Sequence, residues 1–575
     1  MPMSNALFYG DNLVWLKDHK YFPDESVDFI YLDPPFNSKA DYNLIFNEPG
    51  KLNKSQAQIK AFDDTWNWDS EASGIALNEL AHNKPQIAEF ISWLSRQGKP
   101  QESTAAYLSM MAIRLIELKR ILKTTGSIYL HCDPTASHYL KILMDMIFGS
   151  KCFRSEIVWR RTASHGKSKR FAPIHDVILF YTRTKNYKWA YLKKPYMKSH
   201  VEKYFVKDEK GWRTNYYGNV LTGSGLRGGE SGKPWMGFDP SAKGRHWAIP
   251  GEIIEEIDED LSSLGQHQKL DRLYELGYIK IVEGQVWPIY ERYITPTDGQ
   301  NIPDIWAYQP YTNGTVFGTN NCIDEDIRWL SPQDKERLGY QTQKPVGLLE
   351  RIIKASCKKG GVVLDPFCGC GTTVDAAQKL NRHWLGIDVT WLAIDLVERR
   401  LKATYGSKVA GQYKVHGKPY DVASAEALAK KSKKEFEIWA VTSIGAAPRE
   451  HDGGVDGILG FVEQDKKTRT IIVQIKGGDA LNPGMVRDLI GTVKKEGAAI
   501  GLLITLKEPT AGMMKLAVHS ELYKSELFNK EFPSIQIRTV AELFNGKGFD
   551  LPPTQSPLKN AQLAKEQAQQ LLQEI

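Results

Sequence analysis

The chain has 575 residues, 42% hydrophobic and 25% charged, a length for about three or four domains and a composition typical of globular proteins. It carries no uninterrupted apolar run long enough to cross a bilayer and no signal peptide, and its six Cys (132, 152, 322, 357, 368, 370) lack paired metal-ligand spacing, which argues against a membrane span, secretion and a cysteine metal site. The net charge of +7 is mild, but residues 151–213 hold 17 Lys/Arg against 5 Asp/Glu, interleaved with aromatics such as Phe153, Trp159, Phe171, Tyr191, Tyr204 and Phe205, a pattern suited to phosphates and exposed bases.

In chain order, Gly10-Asp11-Asn12 precedes the first long apolar run, Val27-Asp28-Phe29-Ile30-Tyr31-Leu32. Such a continuous run predicts a buried parallel strand, and it closes on Asp33-Pro34-Pro35-Phe36. Tyr107, Leu108, Met111, Leu115, Ile116 and Leu118 have helical spacing. Residues 126–131 predict another strand, and 156–159 with 176–181 predict a hairpin around a basic, Gly-containing segment. Residues 1–184 form the first part of a core. Residues 185–300 are rich in Gly, Trp and Tyr, lack long periodic segments and read as an inserted recognition region.

The core resumes over 301–415. Thr342-Gln343-Lys344-Pro345 leads into a helix through Leu348, Leu349 and Ile352. Gly361-Val362-Val363-Leu364 is a strand that closes on Asp365-Pro366-Phe367-Cys368-Gly369-Cys370-Gly371-Thr372-Thr373, the two threonines opening a helix, and the next strand ends in Asp388. His416-Gly417-Lys418-Pro419 reads as a linker into a unit over 416–550, with a helical segment 424–439, strands 470–476 and 500–505 and a helix 484–496 between them. The tail, 551–575, becomes Gln-, Ala- and Leu-rich and predicts a helix.

A carboxylate and a Gly-rich turn at strand C-termini are where an open α/β sheet places its ligands. The Asp33 and Asp365 motifs resemble the catalytic and cofactor motifs of amino-methyltransferases that use S-adenosylmethionine. Their order, catalytic before cofactor, resembles the beta class of DNA methyltransferases, which act on adenine N6 or cytosine N4. Gly10-Asp11-Asn12 and Thr342-Gln343-Lys344-Pro345 are similar to flanking motifs of that class, and the resemblance covers about 1–184 and 301–405. It implies a Rossmann-like α/β core and double-stranded DNA with the target base flipped out of the stack.

An exocyclic amine is a poor nucleophile, because its lone pair is delocalised into the ring; acceptors must draw it toward tetrahedral geometry. The resemblance assigns this task to Asp33, Pro34, Pro35 and Phe36: Asp33 accepts one N–H, the Pro34 carbonyl the other, and Phe36 stacks on the base. The cofactor-binding residues it implies are Asp11, Gln343, Lys344, Pro345, Asp365, Phe367, Gly369, Gly371, Thr372 and Asp388. Asp365 would face the amino-acid end, Asp388 the ribose hydroxyls, and the glycines allow close backbone approach. Asp-Pro-Pro-Phe points to adenine, with cytosine N4 the alternative. Cys370 stands where the class usually carries Ser.

In the last unit, Asp456 and Gln474-Ile475-Lys476 resemble the nuclease motif of Mrr-like restriction endonucleases, a branch of the PD-(D/E)xK fold. Strand alternation puts Gln474 and Lys476 on one face. The resemblance implies a small α/β nuclease-like domain with Asp456, Gln474 and Lys476 catalytic, Asp456 holding Mg²⁺, and Asp452 and Glu437 as further acids. The whole is expected to be a cytoplasmic, nucleoid-associated restriction–modification protein of a bacterium or archaeon. The alternative is a Type III-like modification subunit that needs a separate restriction partner, and a homodimer remains open.

Overall fold

A computed structural model describes residues 4–554 except 36–40, 48–55, 64–70, 165–168, 170, 210, 215, 252–253, 255–256, 258, 262, 286, 292, 332, 339, 341, 453 and 466. Phe36, Lys167, Arg170, the side chain of Asp452 and the tail 558–575 therefore lie outside the described residues. Contact clustering divides the chain into two compact units, one of 1–190, 304–307 and 326–575, the other of 191–303 and 308–325.

The larger unit is organised by a nine-stranded sheet, ordered Ile305–Trp306, Phe153–Arg160, His175–Thr182, Leu122–Cys132, Val27–Leu32, Val362–Asp365, His383–Asp388, Asn5–Tyr9 and Tyr413–His416. His175–Thr182 alone runs against its neighbours; the other pairings are parallel. The central strands are continuous apolar runs because both faces are covered. One face buries Ile30, Leu32, Ile128, Leu130 and Leu364 with Leu108, Met111 and Leu115 of the helix Lys99–Ile121 and with Leu140, Leu143 and Met144 of the helix Pro134–Phe148. Asp133 starts the latter helix by accepting from the Thr135 and Ala136 amides, with Pro134 at its first position, where no N–H is needed. This is a doubly wound α/β sheet.

A five-stranded sheet, ordered Ala447–Asp452, Val455–Val462, Thr468–Lys476, Ile500–Thr505 and Ile535–Thr539, forms the C-terminal part of the same unit. The helix expected over 424–439 is two helices, Val422–Lys431 and Lys433–Ser443. Ser432 breaks it: its backbone is extended and its hydroxyl accepts from the Glu435 amide, capping the second helix. Glu435 then reaches the large sheet, its Oε2 accepting from the Tyr9 hydroxyl and the Trp391 amide, both at 3.0 Å.

The smaller unit, expected at 185–300, is made of short strands around one longer helix, Gln266–Glu275, and buries Leu221, Trp247, Leu270, Leu273 and Tyr290. Among the described residues no helix is long and apolar enough to cross a membrane, and all six cysteines are free.

Candidate active site

The strands Val27–Leu32 and Val362–Asp365 are parallel neighbours, Ile30 opposite Leu364. The chain that follows each therefore emerges at the same sheet edge, as do Asp388 and Asp11 from the parallel strands beside them. A cavity of about 270 Å³ opens there, lined by Asp11, Asp33, Pro34, Pro35, Gln343, Lys344, Asp365, Phe367, Gly369, Thr372 and Asp388. Two expected residues do not line it. Pro345 is the N-cap of the helix Val346–Ser356, and Gly371, in the left-handed region at φ 76°, is the N-cap of the helix Thr372–Lys379.

Asp33 has an asymmetric environment. Its Oδ2 accepts from Lys344 Nζ at 2.5 Å, and the same ammonium donates to the Thr342 carbonyl at 3.1 Å. Its Oδ1 is buried and has no hydrogen-bond partner among the described residues. An unsatisfied buried acceptor costs about 1–3 kcal/mol, so this oxygen is held ready for a donor from a ligand. Lys344, expected beside the cofactor, thus braces the catalytic-motif carboxylate as well as lining the cavity.

Three carboxylates address the other side. Burial pushes the Asp365 carboxyl up to about 7, against hydrogen bonds from the Thr373 side chain and the Phe367 amide. Burial also raises Asp388, whose Oδ1 accepts from the Thr390 amide and hydroxyl and whose Oδ2 accepts from the Gly369 amide, each at 2.9 Å. A carboxylate has about four acceptor sites, so Asp388 retains room for one more donor. Asp11 caps the helix Asn12–Leu16 through the Leu13 amide and accepts from Arg114 Nη2 at 2.8 Å.

Gln343 lines the cavity and also has a structural use. Its Nε2 donates to the Glu336 carbonyl at 2.8 Å and its Oε1 accepts from the Leu338 amide at 2.7 Å, so its amide braces the preceding loop. Glu336 accepts from the Val346 amide, and buried Arg400 joins Asp375, Thr372 Oγ1 and the Cys370 carbonyl, tying the Gly-rich turn to the helix behind it.

Sequence reading missed Asn12, Tyr31, Met110, Arg114, Tyr340 and Thr373, all on the cavity wall. Arg114 Nε donates to Asn12 Oδ1 at 2.6 Å, and Asn12 Nδ2 to the Pro366 carbonyl at 2.7 Å, linking the three segments. The Tyr31 hydroxyl meets His131 Nδ1 at 2.7 Å, and His131 Nε2 meets Asp176 Oδ2 at 3.2 Å, a chain buried throughout. The alternation of Tyr31 with Asp33 along an extended strand was a usable signal for the first; nothing in the sequence links Arg114 or Tyr340 to the motifs.

At the second site, Gly457 stands opposite Val473, so Asp456 falls at the step facing Gln474 on the antiparallel strand. Asp456 Oδ2 accepts from the Ile475 amide at 2.6 Å, and buried Gln474 donates its Nε2 to the Gly454 carbonyl. Lys476 is half-buried beyond them. Burial raises the Asp456 carboxyl, opposed by the Ile475 hydrogen bond and the charge of Lys476. Glu437 lies on the helix Lys433–Ser443 with Lys433 at 3.8 Å. No cluster of three or more His, Cys, Asp or Glu that could hold a metal occurs among the described residues.

A doubly wound sheet with a Gly-rich turn and acids at its strand ends is the arrangement in which open α/β folds hold nucleotide-like cofactors. The N6/N4 family model, described as a DNA methylase, matches residues 27–399, and the chain belongs to that family. The Mrr catalytic-domain model, described as a restriction endonuclease, matches residues 429–529. The chain is 32% identical over 298 residues to the Type II methyltransferase M.EcaI of Enterobacter cloacae, covering 52% of this chain and 57% of that one. It is 29% identical over 382 residues to the Type III restriction-modification enzyme StyLTI Mod subunit of Salmonella typhimurium, covering 66% and 50%. The chain thus spans about half the length of these curated relatives. Among solved structures, the M1.HpyAVI–SAM complex matches at 13% identity and TM-score 0.29, over 69% of this chain and 98% of that one.

Proposed function

We propose that the chain transfers a methyl group from S-adenosylmethionine to adenine N6 in DNA, and that its C-terminal domain is a Mg²⁺-dependent DNA endonuclease. The observation that carries the first part is the unpartnered Asp33 Oδ1 in a cavity that also holds Asp365 and Asp388. The residues fit the cofactor: a cationic sulfonium and ammonium suit the acidic wall, and the remaining Asp388 acceptor site suits a ribose hydroxyl. Glycine suits position 369 as well, since its φ is 48° and a Cβ there would crowd the Tyr340 ring at 3.3 Å. The bound cofactor would supply an electrophilic methyl group.

Asp33 Oδ1 accepts one N–H of the flipped amine and the Pro34 carbonyl accepts the other. Lys344 holds Oδ2, so Asp33 keeps one orientation and offers one oxygen. Catalysis then rests mainly on positioning. In the nuclease-like domain Asp456 Oδ1 and the Gln474 amide oxygen would be the protein ligands. Mg²⁺ commonly takes only one or two carboxylates, with waters and substrate phosphate completing the shell, so this small set fits. Lys476 would face the developing phosphate charge.

A second reading has its own support: the matches to Type III Mod subunits suggest a modification subunit whose cutting needs a separate restriction partner. The smaller unit is assigned DNA recognition, and a homodimer is compatible with either reading. Incubation with unmethylated plasmid, S-adenosylmethionine and Mg²⁺, followed by single-molecule sequencing and electrophoresis, tests all parts. Expected are N6-methyladenine at one site and Mg²⁺-dependent cleavage. N4-methylcytosine would replace the base assignment, methylation without cleavage would favour the subunit reading, and no modified base would reject the proposal.

A further inference from the structure

In the smaller unit, the strands Gln309–Pro310 and Cys322–Ile323 pair antiparallel and carry between them a loop with two unusual residues. Tyr311 has φ 61° and is 98% exposed; Phe317 has φ 62° and is 53% exposed. Bulky side chains rarely adopt the left-handed region, which costs about 1–2 kcal/mol per residue, and a fully exposed aromatic ring gains nothing from burial to offset it.

The loop between them is not loose. The Thr312 amide donates to the Asn321 carbonyl at 3.0 Å, the Gly314 amide to Thr312 Oγ1 at 3.1 Å, and the Thr315 amide to the Thr319 carbonyl at 2.7 Å. The Val316 amide donates to the Tyr196 carbonyl at 2.9 Å and the Lys198 amide to the Gly314 carbonyl at 3.1 Å. Gly314 and Thr315, at the base, are buried. The frame is thus rigid where the two rings project from it. Strain held at exposed positions by an over-determined surround is a mark of a contact surface.

The chemistry beside the loop says what kind. Residues 196–198 pack against it, and the segment carries Lys193 and Lys198; Lys198 Nζ reaches Asn320 Oδ1 at 2.9 Å and Lys193 is exposed, whereas Lys194 pairs with Asp324 at 3.5 Å. Aromatic faces on a rigid tip flanked by ammonium groups match a nucleic-acid strand whose bases are unstacked, where rings stack on bases and lysines face phosphates.

We propose that the 309–323 hairpin is a base-stacking element, with Tyr311 as its principal contact and Phe317 as a second, acting on an unstacked base of the DNA. The inference rests on the DNA reading above. It assigns Tyr311 a contact with DNA, not a part in methyl transfer, and its ring, not its hydroxyl, makes the contact.

The test compares Tyr311→Gly, Tyr311→Phe and wild type in the full chain, by titration with a mixed-sequence oligonucleotide, single-stranded and duplex, over a salt series, together with thermal melting. Tyr311→Gly should bind the single strand about tenfold more weakly, the scale of one lost base stack, with an unchanged salt slope because no phosphate contact is lost. It should melt at or above wild type, since glycine relieves the left-handed backbone. Tyr311→Phe should bind as wild type does. Equal binding by Tyr311→Gly or an equal loss in Tyr311→Phe would each overturn the assignment. If Tyr311→Gly misfolds, Phe317→Gly is the second variant, and wild-type affinity in it overturns the hairpin's role. Wild-type protein that binds no DNA at all would instead reject the DNA reading itself.

Discussion

Asp33 and Asp456 are both carboxylates near a lysine, yet their surroundings differ in kind. Asp33 has one oxygen fixed by Lys344 at 2.5 Å and one buried without a partner. Asp456 has one oxygen on the Ile475 amide, and burial raises its carboxyl because Lys476 opposes that burial only in part. An acid whose charge is already matched, with a spare lone pair, suits holding a neutral donor such as an amine. An acid whose charge is under-compensated gains from a metal cation. The two acids thus differ in their lysine: Lys344 holds one oxygen of Asp33 directly, whereas Lys476 acts on Asp456 through its charge.

Apart from Asp33 itself, the largest effect is expected at the second site. Lys476→Ala should reduce Mg²⁺-dependent cleavage about 10²–10³-fold, the usual scale for losing a positioned charge, and leave methylation intact; a plasmid nicking assay reads the first and methyl transfer from labelled S-adenosylmethionine the second. Methylation falling in step with cleavage would mean that the two regions do not work separately. At the first site, Gly371→Val should weaken S-adenosylmethionine binding about tenfold or more. A Cβ there would stand 2.7 Å from Val397 Cγ2, and φ 76° is costly for a β-branched residue. Unchanged affinity by calorimetry would mean that the turn at Gly371 does not shape the cofactor site.

Lys169, exposed in the basic segment, should contribute one phosphate contact. Lys169→Ala should therefore lower the slope of log affinity against log salt by about 1. Arg161 pairs with Asp176 at 3.1 Å, and Arg160 lies 5.2 Å over the Trp329 ring, so their neutralisation should cost stability as well as DNA affinity. The smallest effect is a pH dependence. With its carboxyl near 7, Asp365 is largely protonated at pH 6 in the cofactor-free protein, and a cationic cofactor selects the ionised form. Affinity for S-adenosylmethionine should rise severalfold from about pH 6 to pH 8, and Asp365→Asn should flatten the profile. By the same linkage, Asp365 stabilises the cofactor-free fold at acid pH, a contribution lost as pH rises through about 7.

The strands and their closing motifs were readable because each combines an apolar run with a turn that only Pro or Gly suits. The adjacency of Val27–Leu32 and Val362–Asp365 was implied by the motif resemblance; the register that joins them is a product of the sheet. Arg114 and Tyr340 could not be read, because each sits in a segment whose local pattern is ordinary and reaches the cavity only through packing. Gln343 was found for its place, but its amide is spent on the loop at 336–338. The break at Ser432 was missed although the polar run Lys430 to Glu435 interrupts the apolar spacing there, and the capping hydroxyl competes locally with the helix.

The free oxygen of Asp33 is tested most directly by Asp33→Ala, assayed for methyl transfer to unmethylated DNA and for S-adenosylmethionine affinity in the same preparation. The geometry predicts a loss of methyl transfer of roughly a thousandfold or more, on the scale of removing a preorganised polar contact from a reacting group, with cofactor affinity nearly unchanged, because Asp33 holds the amine and not the methionine. Near-normal transfer in this variant, or cofactor affinity lost in parallel, would contradict that assignment.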